Sequence, residues 1–170
     1  MSAGLAAFTI FHVAISLIAI LSGFVVMFGL LAGRLLRGWT ALFLITTIAT
    51  SVTGFMFPRH GFTPGQAVGI LSLAVLGIAL LALYGRRLAG AWRLIFVVTA
   101  MTAFYFNFFV LVAQSFEKIP ALNAIAPTQS AAPFKVTQLC VLLAFIVITI
   151  AAAIKYHPGG RPPAGIAGVT

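Results

Sequence analysis

The chain has no aspartate and a single glutamate, Glu117, against ten lysines and arginines. A proton- or cation-driven transporter ordinarily carries an acid inside the membrane, and Glu117 falls at the end of an apolar run. Paired carboxylates, HExxH, GxSxG and a glycine-rich phosphate loop are all missing, so hydrolysis and phosphoryl transfer lack their usual components. Cysteine is equally scarce. Cys140 stands alone, which excludes an internal disulfide or a cysteine-cluster metal site, and its apolar surroundings suit a small packing residue.

Charge is sparse as well. Only 6% of the 170 residues are charged and 62% are hydrophobic, with a mean hydropathy of +1.19. Soluble domains carry about a quarter charged residues, so the solvent expected for this chain is lipid. The net charge of +9 does not indicate nucleic acid, because the basic residues occur singly or in small groups between apolar runs, where they read as membrane-flanking anchors.

What is present is a series of long apolar runs. An all-α integral membrane bundle of five transmembrane helices is expected, over about 8–32, 39–57, 67–84, 94–116 and 136–154, all within one domain of residues 1–156. The first run, at 1.5 Å per residue, is long enough to cross a hydrocarbon core of about 30 Å with some tilt, and the second is a short but acceptable span. The opening MSAGLAAFTI has no lysine or arginine and leads into too long a run for a signal core, so the first span is expected to be retained. Residues 117–135 carry Pro120, Pro127 and Pro133 and read as an extramembrane loop, and 157–170 as a flexible Gly/Pro-rich tail.

Arg34, Arg37, Arg86, Arg87, Arg93, Lys155 and Arg161 fall on one side of these spans, and Arg59, Lys118 and Lys135 on the other. The positive-inside rule then places the N-terminus outside and the C-terminus in the cytoplasm, with the loops around His60 and Pro127 on the outer face.

Apolar helices in lipid associate through small residues and interhelical hydrogen bonds. Gly29 and Gly33 form a GxxxG pair, Gly23 pairs with Ala19, and Gly69 and Gly77 share a face, so these glycines and Gly54 are expected to pack helices. The second span is rich in hydroxyls, with Thr46, Thr50 and Gly54 four apart on a face expected to point inward, and Thr53 nearby. The fourth carries Asn107 and Gln114 on one stripe with Thr99, beside the aromatic cluster Phe104, Tyr105, Phe106, Phe108 and Phe109. Such amides act as interhelical glue or line a small polar cavity.

Histidine is the one strong transition-metal ligand type available. His12 lies about a turn inside the outer end of the first span, and His60 lies in an outer loop beside Pro58 and Gly61. Together they suggest a b-type haem on two imidazoles, against the plainer reading of His12 bonded across helices and His60 solvated. Met56 beside His60 leaves a copper site conceivable.

The segments FHVAISLIAILSGFVVMFGLLAGRLLRGWTALFL, TSVTGFMFP, GAWR and APTQS resemble a group of small uncharacterised multi-spanning proteins of bacterial inner membranes. The resemblance implies a compact multi-pass bundle in that membrane and carries no activity to transfer. Three functions are open from the residues. The first is a non-enzymatic bundle, structural or partner-binding, with lipid, a second copy or a membrane complex as its partner, no nucleic acid and no bound cofactor. The second is a binding protein for haem or a small amphipathic, quinone-like ligand near the outer face, through His12, Thr50, Thr53, Asn107 and Gln114, with His60 as a second haem ligand. The third is an oligomeric channel or facilitator lined by Thr46, Thr50, Thr53 and Asn107.

Overall fold

The computed structural model describes residues 3–58, 61 and 63–157. It is all-helical, 84% helix, with no strand among the described residues. The helices are α1 (Ala3–Leu31), α2 (Arg37–Phe55), α3 (Pro64–Leu80), α4 (Trp92–Lys118), α5 (Pro120–Ile125) and α6 (Ala132–Lys155), with a π-helical turn, Leu81–Gly85, continuing α3. Five of them are long and apolar enough to cross a membrane: α1, α2, α3 with its π turn, α4 and α6.

The helix ends are set by local chemistry. At α3, Thr63 Oγ1 accepts from the Gln66 backbone N–H while Gln66 Oε1 accepts from the Thr63 N–H at 2.9 Å, and Pro64 sits in the first turn. This reciprocal cap starts the helix three residues before the apolar run begins. Past Leu31 the Arg34 N–H closes back on the Gly29 carbonyl at 2.8 Å, with Gly33 in the left-handed region at φ +71°. Gly33 therefore terminates α1, and it does so close to the Lys155 carbonyl of α6, 3.3 Å from where a Cβ would stand.

Residues 117–135 differ from the expected loop. α4 continues to Lys118, Pro120 opens the short α5, and Pro133 lies in the first turn of α6. A proline in a first helical turn loses no hydrogen bond, since that N–H has no intrahelical acceptor anyway, so two of the three prolines start helices instead of preventing them. Only Ile119 and 126–131 connect without helix.

α1, α2, α3 and α4 pack in sequence and close into a ring where α1 meets α4; α6 lies outside it against α4 and α1. Phe104 of α4 is the pivot, with edge-on contacts to Phe24, Phe43, Phe108 and Phe145 at centroid distances of 5.0, 6.0, 6.5 and 5.2 Å. The aromatic cluster of α4 thus serves mainly as core. α6 turns Val136, Leu139, Leu143, Val147, Ile150 and Ile154 outward.

Chain direction alternates, so the bundle has two ends. One gathers the start of α1, the end of α2, the start of α3 and the end of α4, and holds His12. The other gathers the end of α1, the start of α2 and the end of α3, and holds Arg34, Arg37, Arg86, Arg87, Arg93 and Lys155. The tail from 158 and the residues Arg59 and His60 lie outside the described residues.

Candidate functional site

A hydroxyl on an apolar helix has a default partner, the carbonyl one turn back on its own strand of chain. Thr9, Ser16, Ser22, Thr46, Ser51, Thr53, Thr99, Thr102, Ser115, Thr137 and Thr149 all donate there. Thr47, completely buried, instead accepts from Asn107 Nδ2 across 3.0 Å. Thr40, Thr50 and Ser72 do neither, and their oxygens are buried without a partner. A buried hydroxyl left unbonded costs about 1–3 kcal/mol, so these three positions mark where the bundle is incomplete by itself.

Two of them face one space. Thr50 and Ser72 line a cavity of about 450 Å³ inside the α1–α4 ring at the His12 end. Its walls are apolar, with Val13, Leu17 and Ile20 from α1, Phe55 from α2, Val68 from α3, and Phe106 and Val110 from α4. Its polar groups are His12 and Ser16, Thr50, Gln66 and Ser72, then Asn107 and Gln114, with Glu117, Lys118 and Gln129 toward the end of α4 and the 126–131 connection. The volume is within the range of small-molecule sites, and a mostly apolar lining with a few convergent polar groups is their usual composition.

The room comes from glycine. A Cβ on Gly69, which lines the cavity, would lie 3.0 Å from the Phe55 ring, so that ring seats directly on the α3 backbone. Gly54 also lines it, and a Cβ there would touch His12 Cε1 at 3.8 Å, an ordinary contact.

His12 Nδ1 lies 2.7 Å from Thr53 Oγ1, and Thr53 gives its own proton to the Ala49 carbonyl, also at 2.7 Å. With its own proton on that carbonyl, the hydroxyl accepts from the ring at Nδ1. Phe57 packs edge-on against the imidazole at 5.1 Å and fixes its plane. The two-imidazole arrangement is not described, because His60 lies outside the described residues.

The structure brings His12, Thr50, Asn107 and Gln114 to one cavity, while Thr53 stands behind His12 as its hydrogen-bond partner. The Thr46, Thr50, Gly54 stripe of α2 turns inward, with Thr46 buried and Thr50 and Gly54 on the cavity wall. Thr40, Phe43, Leu44, Thr47 and Ser51 are buried along the face that α4 and α1 cover, and Thr46 is buried at its edge.

Among the packing glycines, Gly23 is the tightest, since a Cβ there would meet the Phe104 ring at 2.5 Å. Gly29 packs against Arg34 and Leu36 of the turn that follows it rather than against another span, and a Cβ at Gly77 would meet nothing within 4 Å. Gly33 ends α1 and also approaches another span, since a Cβ there would lie 3.3 Å from the Lys155 carbonyl at the end of α6, whereas Gly77, expected to pack, faces outward.

Besides Thr40, two buried polar residues with an unpartnered atom escaped the sequence reading. Gln138 of α6, buried, donates from Nε2 to the Phe109 carbonyl of α4 at 3.0 Å, and its Oε1 has no partner. Ser72 of α3 is the other. An isolated amide or hydroxyl in an apolar run was the available signal, because burying one in hydrocarbon needs a reason.

Beyond the cavity the ring closes on apolar side chains, Val26, Met27 and Leu30 of α1 with Phe43, Leu76, Phe96, Val97 and Met101. The chain matches no known family model, no curated protein and no solved structure.

Proposed function

We propose that this is a multi-pass membrane protein, without catalysis of its own, that holds a small amphipathic ligand in the cavity between α1, α2, α3 and α4. The ligand is ring-headed and carries hydrogen-bond-accepting carbonyls, as a quinone does. The observation that carries the reading is the pair of unpartnered hydroxyls, Thr50 and Ser72, that line this one cavity. Each is a donor without an acceptor, and an accepting carbonyl in the cavity supplies what they lack.

The surroundings support the same chemistry. Phe55, Phe57 and Phe106 offer ring faces, and Val13, Leu17 and Val110 an apolar channel for a short tail. Outward apolar side chains on every span, such as Ile10, Ile45, Ile78, Val98 and Val147, suit a lipid solvent. The basic end, by the positive-inside rule, is cytoplasmic, which puts the cavity toward the outer face of what the sequence resemblance makes a bacterial inner membrane. The closed apolar core between cavity and basic end favours binding over conduction by one protomer.

Calorimetric titration of the nanodisc-embedded protein with decylubiquinone tests this. One saturable site is expected, weakened about tenfold in a T50V/S72A variant, the effect of losing hydrogen bonds from a desolvated site. Unsaturable partitioning, or equal affinity in the variant, rejects the reading.

A further inference from the structure

The third unpartnered hydroxyl, Thr40, belongs to a different place. It lies at the opposite end of the bundle, on the floor of a second cavity of about 280 Å³, where the start of α2 meets the π turn that ends α3. Thr40 is only 1% exposed and its Oγ1 has no partner. Leu88 shares the floor, Leu35 and Leu83 form the walls, and Arg37, Arg87 and Tyr84 stand exposed at the rim.

This cavity is built for negative charge. Two guanidinium groups share it, and one of them, Arg37, is the first residue of α2, where the helix dipole already presents its positive end and no side chain caps the free N–H groups. Placing a cation there is unfavourable unless an anion joins it. The chain supplies none: its one carboxylate side chain, Glu117, lines the cavity at the other end. The neighbouring basic groups are otherwise engaged, Arg93 with the Ala153 and Tyr156 carbonyls at the end of α6 and Arg86 over the Trp92 ring at 5.1 Å.

The backbone is shaped to bring Arg87 to the rim. Arg87 and Leu88 both adopt left-handed conformations, φ 49° and 59°, which side chains other than glycine occupy at a cost. The Leu88 N–H closes on the Ala82 carbonyl at 3.0 Å inside the widened turn, which buries Leu88 and leaves Arg87 facing the start of α2 across the cavity.

We propose that this cavity binds a phosphate group, held by the Arg37 and Arg87 guanidinium groups and by the Thr40 hydroxyl. Guanidinium forks match phosphate oxygens in pairs, and Thr40 gives a further donor from the floor. Phospholipid headgroups and free phosphate share this chemistry. The proposal is independent of the ligand assigned to the other cavity.

The test uses full-length protein, delipidated in nonionic detergent, and the fluorescence of Trp39 and Trp92, the two tryptophans of the chain, both at this end. Dihexanoyl-phosphatidylglycerol and inorganic phosphate are titrated separately into wild type, R37Q, R87Q, T40V and R34Q, with helical circular dichroism checking that each variant is folded. Saturable binding of the lipid is expected, weakened about tenfold in R37Q and R87Q and about threefold in T40V. R34Q removes a charge from the same end without touching the cavity and should bind as wild type does. If only inorganic phosphate saturates, with the same dependence on Arg37, Arg87 and Thr40, the site stands and its source is free phosphate. Saturation by neither, or a loss in R34Q equal to that in R37Q, overturns the proposal.

Discussion

Asn107 of α4 reaches across to α2 and donates to the hydroxyl of Thr47 at 3.0 Å, deep in the bundle beside the candidate cavity. This bond joins the two helices that carry the cavity's inner wall. In hydrocarbon such a contact contributes about 0.6–2 kcal/mol, because the unfolded helices find only partial substitutes. A double-mutant cycle of N107A and T47V, followed by unfolding in mixed detergent, should return a coupling of about 1 kcal/mol. Additive single effects would show that the two side chains do not hold the helices together.

Gly23 and Gly77 should respond oppositely to alanine. The Gly23 position lies against the Phe104 ring, the pivot of the aromatic core, so G23A forces that ring to move and should destabilise by about 1–3 kcal/mol. Gly77 faces open space, and G77A should be neutral or slightly stabilising, since alanine favours the helix. Thermal melts monitored by circular dichroism separate the two.

Arg93 ties α4 to the end of α6 through the Ala153 and Tyr156 carbonyls, and Tyr156 itself is buried beside it. Burial raises the Tyr156 phenol above the ordinary tyrosine value, with Arg37 and Arg93 drawing it partly back. Below that ordinary value the phenol is neutral in both folded and unfolded chains. Above it the unfolded chain ionises first, so stability falls as pH rises until the folded phenol ionises too. Y156F should flatten the alkaline loss in a series of melts from neutral pH upward, and a loss of unchanged steepness would assign it to other groups.

The five long helices were legible in the sequence because hydrocarbon leaves little choice: runs of about 20 apolar residues, ended by arginine, glycine or tryptophan, have one economical solution. Their ends were less so. Pro120 and Pro133 read as loop residues from sequence, yet each sits in a first helical turn, as Pro64 does, where position within the helix decides whether proline hurts. The site was half legible. His12, Thr50, Asn107 and Gln114 were recognisable as polar groups in apolar runs, and they meet in one cavity. Ser72 and Thr40 were not, because what sets them apart is a missing hydrogen bond to their own helix, and composition cannot show that. The π turn and the left-handed Arg87 and Leu88 likewise belong to the end of α3 where it packs against α4, a tertiary setting that no local propensity records.

Gln138 gives a prediction of its own. Its amide donates to the Phe109 carbonyl and holds α6 against α4, while its Oε1 is left without a donor. Q138L should cost little, because it removes the unsatisfied oxygen along with the bond, whereas Q138E should destabilise by several kcal/mol by burying an acid. Comparable losses in both variants, read from detergent unfolding, would contradict this account of the residue.

The most direct test of the central claim is photolabelling with an azido-quinone in native-like membranes, followed by mapping of the labelled peptides. The account predicts label concentrated on cavity residues of α1, α2, α3 and α4 around Thr50 and Ser72, competed away by decylubiquinone and absent from the outer face of α6. Label spread over Leu139, Val147 and Ile150, insensitive to competitor, would show that the quinone meets only the lipid-facing surface and that the cavity is not its site.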